Sequence, residues 1–181
     1  MKSVGLAILV LAAAPAVAQH TAHTNPYAGM QHHAIKSLPP AEVESLLAGH
    51  GMALARAAEL NGYPGPMHVI ELSQQMKLTP AQLEASQQLM QQHRERARKL
   101  GAELVEAERR LDALFAQQQA ETSNVSTATE RVGNLQAKLR AEHLNTHLQQ
   151  KALLTAEQVQ RYSELRGYQA AHSPSHRSHS K

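Results

Sequence analysis

From Pro80 onward the apolar residues recur every seven positions. Leu83, Met90, Ala97, Leu104 and Leu111 form one row, with Ser86, His93, Leu100, Ala107 and Leu114 interleaved. A seam of this kind over about four heptads predicts a long helix in coiled-coil-like contact. The following stretch, Glu121 to Thr129 (E-T-S-N-V-S-T-A-T), reads as a turn, and Thr127 with Glu130 as a capping box that starts the next helix. That returning helix carries Val132, Leu135 and Leu139 and ends before Leu154. Two long helices joined by a short turn lie antiparallel.

The same helix-start phrase occurs twice. Leu78-Thr79-Pro80-Ala81-Gln82-Leu83 and Leu154-Thr155-Ala156-Glu157-Gln158-Val159 both read L-T-x-x-Q-apolar. Thr79 and Thr155 are N-caps, Gln82 and Gln158 close capping boxes, and Leu78 and Leu154 staple onto the apolar residue that follows. Pro80 takes the first helical position, where its missing N–H costs nothing. Leu38-Pro39-Pro40-Ala41-Glu42-Val43 is a weaker echo. Helices are expected over Ala41–Leu60 (broken at Gly49-His50-Gly51), Pro66–Met76 and Ala156–Tyr168, with a tight turn at Asn61–Pro66. The expected fold is all-α, a long antiparallel hairpin with short flanking helices. Those helices are too short to stand alone, so they pack on the hairpin or on a second copy of it, and a homodimer is expected.

The ends read differently. Lys2, the apolar run Val4–Ala14 and the small-x-small site Ala16-Val17-Ala18 make a secretory signal peptide over residues 1–18, cleaved near Ala18. The run is too short to span a bilayer, which takes roughly 20 apolar residues. Residues 19–37 and 170–181 are polar, His-rich and aperiodic and are expected to be disordered arms. Residues 38–169 form the helical domain. No Cys is present, which rules out disulfides and thiol chemistry. The net charge, +3 for the whole chain, is too small to imply nucleic acid. Trp is absent and Phe115 is the single Phe, so an aromatic-lined pocket is not expected. No phosphate loop, nucleophile triad or carboxylate pair stands out. The chain is read as not an enzyme, with no required cofactor.

Histidine is what remains: 12 residues, all beyond the signal. His143 and His147 (H-L-N-T-H) stand one helical turn apart and share a face, as a metal clamp requires. The Glu that follows the first His in zinc proteases is missing, so hydrolysis is not indicated. His93 could add a third ligand: a hairpin turning near Ala120 puts it level with His147, whereas one turning near Ser123 sets it opposite Leu153. His50 and Met52, with Met67 and His68 across the next turn, form a mixed set that suits copper. The better reading for Met52 and Met67 is as adaptable core fillers. Glu142 is expected to point away from the pair. Arg94, Arg96, Arg98 and Lys99 form a basic patch on the long helix. It is either a solvated face with i,i+4 pairs such as Glu95–Lys99 or a charged rim that speeds capture of unfolded clients.

Two L-T-x-x-Q phrases flanking a long charged hairpin, behind a signal peptide and without Cys, resemble the Spy/CpxP family, including its ZraP-like and periplasmic heavy-metal-sensor members. The stretch from Gly49 to Ala55 and that from Ala58 to Pro66 are similar to the members known as periplasmic metal sensors or refolding chaperones. The resemblance covers about Leu38 to Tyr168. It implies a curved, cradle-like homodimer in the periplasm, without stable membrane insertion. Spy-like members shield unfolded proteins without nucleotide, CpxP-like members report to a sensor kinase, and the metal-linked branches bind Zn, Cu or Ni. The expected function is therefore an ATP-independent chaperone for stressed envelope proteins, linked to metal stress. The alternatives are a Zn, Cu or Ni binding or sensing protein, and a regulatory partner of a sensor kinase. The His-rich tails pull towards the metal-binding branch.

Overall fold

A computed structural model describes residues 25–168. The expected signal peptide, His20, His23 and the tail histidines His172, His176 and His179 lie outside those residues. After a 3-10 turn at Met30–His32 come α1 (Pro40–Ala48), α2 (Arg56–Glu59), α3 (Pro66–Glu71), α4 (Pro80–Ala116), α5 (Thr122–Ala152) and α6 (Ala156–Leu165). The fold is all-helical. Helices α4 and α5 form the long antiparallel hairpin, α1 and α3 pack on α4, and α2 packs on α5. No described helix is long and apolar enough to cross a membrane.

Both expected caps are made. Thr79 Oγ1 accepts from Gln82 N at 3.2 Å while Gln82 Oε1 accepts from Thr79 N at 3.0 Å. Thr155 and Gln158 repeat this at 3.2 and 2.9 Å. The two phrases also bind each other: Gln82 Nε2 donates to Gln158 Oε1 at 2.9 Å, and Gln158 Nε2 to Gln82 Oε1 at 3.0 Å. Gln82 Nε2 further donates to the Leu153 carbonyl at the end of α5, at 2.8 Å. The repeat is thus a clasp holding the starts of α4 and α6 together. Gln82→Ala and Gln158→Ala are each expected to cost about 1–2 kcal/mol. The double variant should cost less than their sum, by about 0.5–1 kcal/mol, in a urea-unfolding double-mutant cycle, because the singles remove the same shared bonds.

Several boundaries differ from expectation. The hairpin turns earlier, between Ala116 and Thr122, with Gln118 at φ 57°. Asn124 fixes it, accepting from Glu121 N at 2.9 Å and donating to the Gln119 carbonyl at 2.9 Å. Thr127 lies inside α5 and donates back to the Ser123 carbonyl, so it caps nothing. The break after α1 runs through to Ala55, because Gly49 ends the helix at φ 72° and Met52 and Ala53 also take left-handed conformations. Helices α3 and α6 each end short of Met76 and Tyr168.

The arm expected to be disordered through Ser37 docks in part. Ile35 is buried, Lys36 holds Asp112 through backbone N and Nζ at 3.1 and 3.2 Å, and Ser37 Oγ donates to Glu108 at 2.9 Å. A single buried isoleucine among polar neighbours leaves no period to read. It joins a core of Leu38, Leu46, Ala97, Leu104, Leu135 and Leu139; a second, smaller core gathers Val69, Met76 and Tyr162. Between them the hairpin interior is polar, with Gln150 Nε2 donating to Ser86 Oγ at 3.0 Å and His93 against Thr146.

Candidate metal site

Where the interior turns polar, the two connecting loops close over the hairpin. The Gly49 turn brings in His50 and Gly51, and the Asn61–Pro66 turn brings in Gly65, Pro66, Met67 and His68. Opposite them stand Met90, His93 and Arg94 of α4 and His143, Thr146 and His147 of α5. The cavity between measures about 340 Å³. The histidines of the H-L-N-T-H pair and those of the mixed His/Met set, read apart in the sequence, line one space.

His143 is 4 % exposed, and its buried Nε2 has no hydrogen-bond partner. Its ring meets that of His93 edge-on, with centroids 4.6 Å apart. Burial first, then the neighbouring His93, push His143 down to about 4. His93 is also held below its ordinary value, chiefly by burial, against the pull of Glu142. Both rings are therefore neutral at pH 7, the state a metal ligand needs.

The tautomers follow from the partners. His147 Nδ1 lies 2.7 Å from the Tyr63 carbonyl, which can only accept, so Nδ1 carries the proton and Nε2 the lone pair. His93 Nδ1 faces the Glu142 carboxylate at 3.1 Å, which leaves its Nε2 as the lone-pair nitrogen too. Glycine at 65 makes room for His147: a Cβ there would lie 2.7 Å from Cε1 and 2.9 Å from Nε2. With φ at −91° and ψ at 149°, the backbone at Gly65 is open to any residue, so the requirement is for space.

The supporting shell is polar and closed. Glu142 takes Arg96 Nε at 2.9 Å as well as His93. Glu59 lies 3.6 Å from His147 Nδ1 and accepts from Tyr162 at 2.5 Å and Tyr168 at 3.0 Å, tying the last helix to the site. His68 Nδ1 pairs with Glu71 at 2.8 Å.

Three expectations are corrected here. Glu142 points at His93, because positions 142 and 146 share the α5 face turned to α4. Met52 and Met67 are not core fillers; they are 37 % and 48 % exposed, and Met52 faces a different groove beside Leu54 and Leu104. His93 sits level with the pair, as a turn near Ala120 requires, yet it contacts His143 and Thr146, while His147 turns to Tyr63. No three His, Asp or Glu side chains among the described residues converge closely enough to hold a metal as they stand. The donors are distributed around the cavity instead.

The basic residues Arg94, Arg96, Arg98 and Lys99 are all exposed. Arg98 donates to the Ala48 carbonyl at the end of α1, and Glu95 accepts from Gln91 at 3.2 Å where Lys99 was expected. Sequence reading missed Tyr63, Gly65, Met90 and Thr146. Thr146 alone left a signal, lying inside the H-L-N-T-H motif.

The family comparison places the chain among the small α-helical proteins of the Spy/CpxP-like superfamily. Within it the chain belongs to the heavy-metal-resistance family, whose model matches residues 47–161. The match takes in every residue that lines the cavity. No curated protein and no solved structure matches the chain.

Proposed function

We propose that this protein binds a transition-metal ion in the cavity between the hairpin and its two loops, as part of a periplasmic response to heavy-metal stress. The observation that carries the reading is the orphaned Nε2 of His143. A buried ring nitrogen without a partner is costly unless something fills its place. His147 Nε2, freed by the Tyr63 carbonyl, is the second donor. A bound metal ion would supply Lewis acidity that these residues alone lack. What the chain supplies is imidazoles with set tautomers at His93 and His147 and a polar supporting shell around them.

The test is calorimetric titration of the chain with Zn(II), Cu(II), Ni(II) and Ag(I), of which at least one is expected to bind tightly. A tight component near one ion per chain or per dimer is expected. His143→Ala/His147→Ala should weaken it by more than about 100-fold, and Gly65→Ala by about tenfold, since the latter only displaces the His147 ring. Tight binding that survives in the double variant, or weak binding alone, would sink the reading.

A second reading, shielding of unfolded envelope proteins, draws on the exposed Leu47, Leu60, Met67 and Leu148 together with the exposed cations of α4. It expects suppression of client aggregation without nucleotide, unchanged in the same double variant.

A further inference from the structure

Resting on the metal-binding reading, we infer that the cavity selects a soft monovalent ion, Cu(I) or Ag(I), over divalent Zn(II) or Ni(II). Seven donor side chains line it: His50, Met67, His68, Met90, His93, His143 and His147. All are imidazoles or thioethers, which bring no negative charge, and no carboxylate is among the lining residues. The three carboxylates nearby are already engaged. Glu59 holds the hydroxyls of Tyr162 and Tyr168, Glu71 holds His68 Nδ1, and Glu142 holds Arg96 and His93.

Charge and softness then decide. The cost of taking an ion out of water rises with the square of its charge. A divalent ion here would meet no anionic ligand directly, the nearest carboxylates standing behind the imidazoles and already bonded. A monovalent ion asks for less. Thioether sulfur is soft and favours Cu(I), whereas Zn(II) and Ni(II) gain little from it. Coordination number points the same way. Among the described residues no three His, Asp or Glu side chains converge, so a tetrahedral nitrogen and oxygen cage is not preformed there. Imidazole nitrogens supplemented by thioether sulfur are what the cavity offers, and the buried Nε2 of His143 has no hydrogen-bond partner.

The test is transfer of Cu(I) from its bathocuproine disulfonate complex to the chain under anaerobic conditions, followed by colour. That competitor is strong enough to silence weak sites in the His-rich ends. Withdrawal of about one Cu(I) per chain is expected, blocked by equimolar Ag(I) and not by excess Zn(II). Met67→Leu/Met90→Leu should lower Cu(I) affinity by at least about tenfold while leaving the helical circular dichroism and the Zn(II) isotherm unchanged. If Zn(II) binds tightly but Cu(I) stays with the competitor, or if the methionine variant matches the parent, the monovalent preference is wrong and the metal reading stands. If neither ion binds, both fall.

Discussion

Gly101→Ala is expected to destabilise the protein by about 2–3 kcal/mol. In an unobstructed helix the same change stabilises by about 1 kcal/mol. The sign reverses because α1 crosses α4 at this residue. A Cβ at Gly101 would lie 2.8 Å from the Leu46 carbonyl carbon and 3.3 Å from its Cα, with the Leu46 oxygen nearer still. These are backbone atoms and cannot rotate away. Helix α1 must lift, uncovering Ile35, Leu38 and Leu46, all part of the larger core. The Gly49 turn that follows α1 carries His50 and Gly51 to the cavity, so the wall of the site moves with it. Gly133, on α5, is the control: nothing lies within 4 Å of its missing Cβ. Gly133→Ala should raise stability by about 1 kcal/mol. Urea unfolding of both variants checks the pair, and a stabilised Gly101→Ala would show that α1 does not seat there.

The second large effect is a loss of stability between about pH 6.5 and pH 4.5. His143 has an ordinary value of 6.5 and is pushed down to about 4 by burial in the folded protein. Between those values the unfolded chain binds a proton that the folded chain refuses, so acid favours unfolding. Stability from this residue is complete above 6.5, falls as pH drops, and levels off below about 4. His93, also lowered, adds in the same direction. The expected loss is roughly 2 kcal/mol, measured by urea unfolding at the two ends of the window. His143→Leu should flatten the slope. Glu142 is also held below its ordinary 4.5: burial opposes ionisation, but bonds from His93 and Arg96 outweigh it, so its own acid loss falls lower. A stability that does not change across this window would mean that His143 is already protonated in the fold.

What was legible in the sequence was local. The heptad row places Ser86, His93, Ala97, Leu104 and Ala107 inside the hairpin, where they are buried. The capping boxes at Thr79 and Thr155 depend on residues three apart, and both form. What was not legible depends on chain segments that meet in space. Gly101, Val105 and Glu108 are buried on a further face of α4 because α1 and the arm cover it, and no period in α4 announces that. The partnership of Gln82 with Gln158 joins residues 76 positions apart. At the site, the i,i+4 spacing of His143 and His147 was visible. The carbonyl of Tyr63 and the bare Cα of Gly65 were not, since a backbone acceptor and an absent side chain leave no chemical signature. Met67 was misjudged because apolar type says nothing about which loop carries a residue outward.

The measurement that bears most directly on the central claim is a long-range proton–nitrogen spectrum of the imidazoles, recorded as Zn(II) or Ag(I) is added to the full chain. Both ions are diamagnetic, so each histidine can be followed. With the first equivalent the Nε2 signals of His143 and His147 are expected to shift, with Nδ1 of His147 still protonated towards Tyr63. Contradiction would be a first equivalent that moves only histidines of the two ends and leaves His143 and His147 where they were.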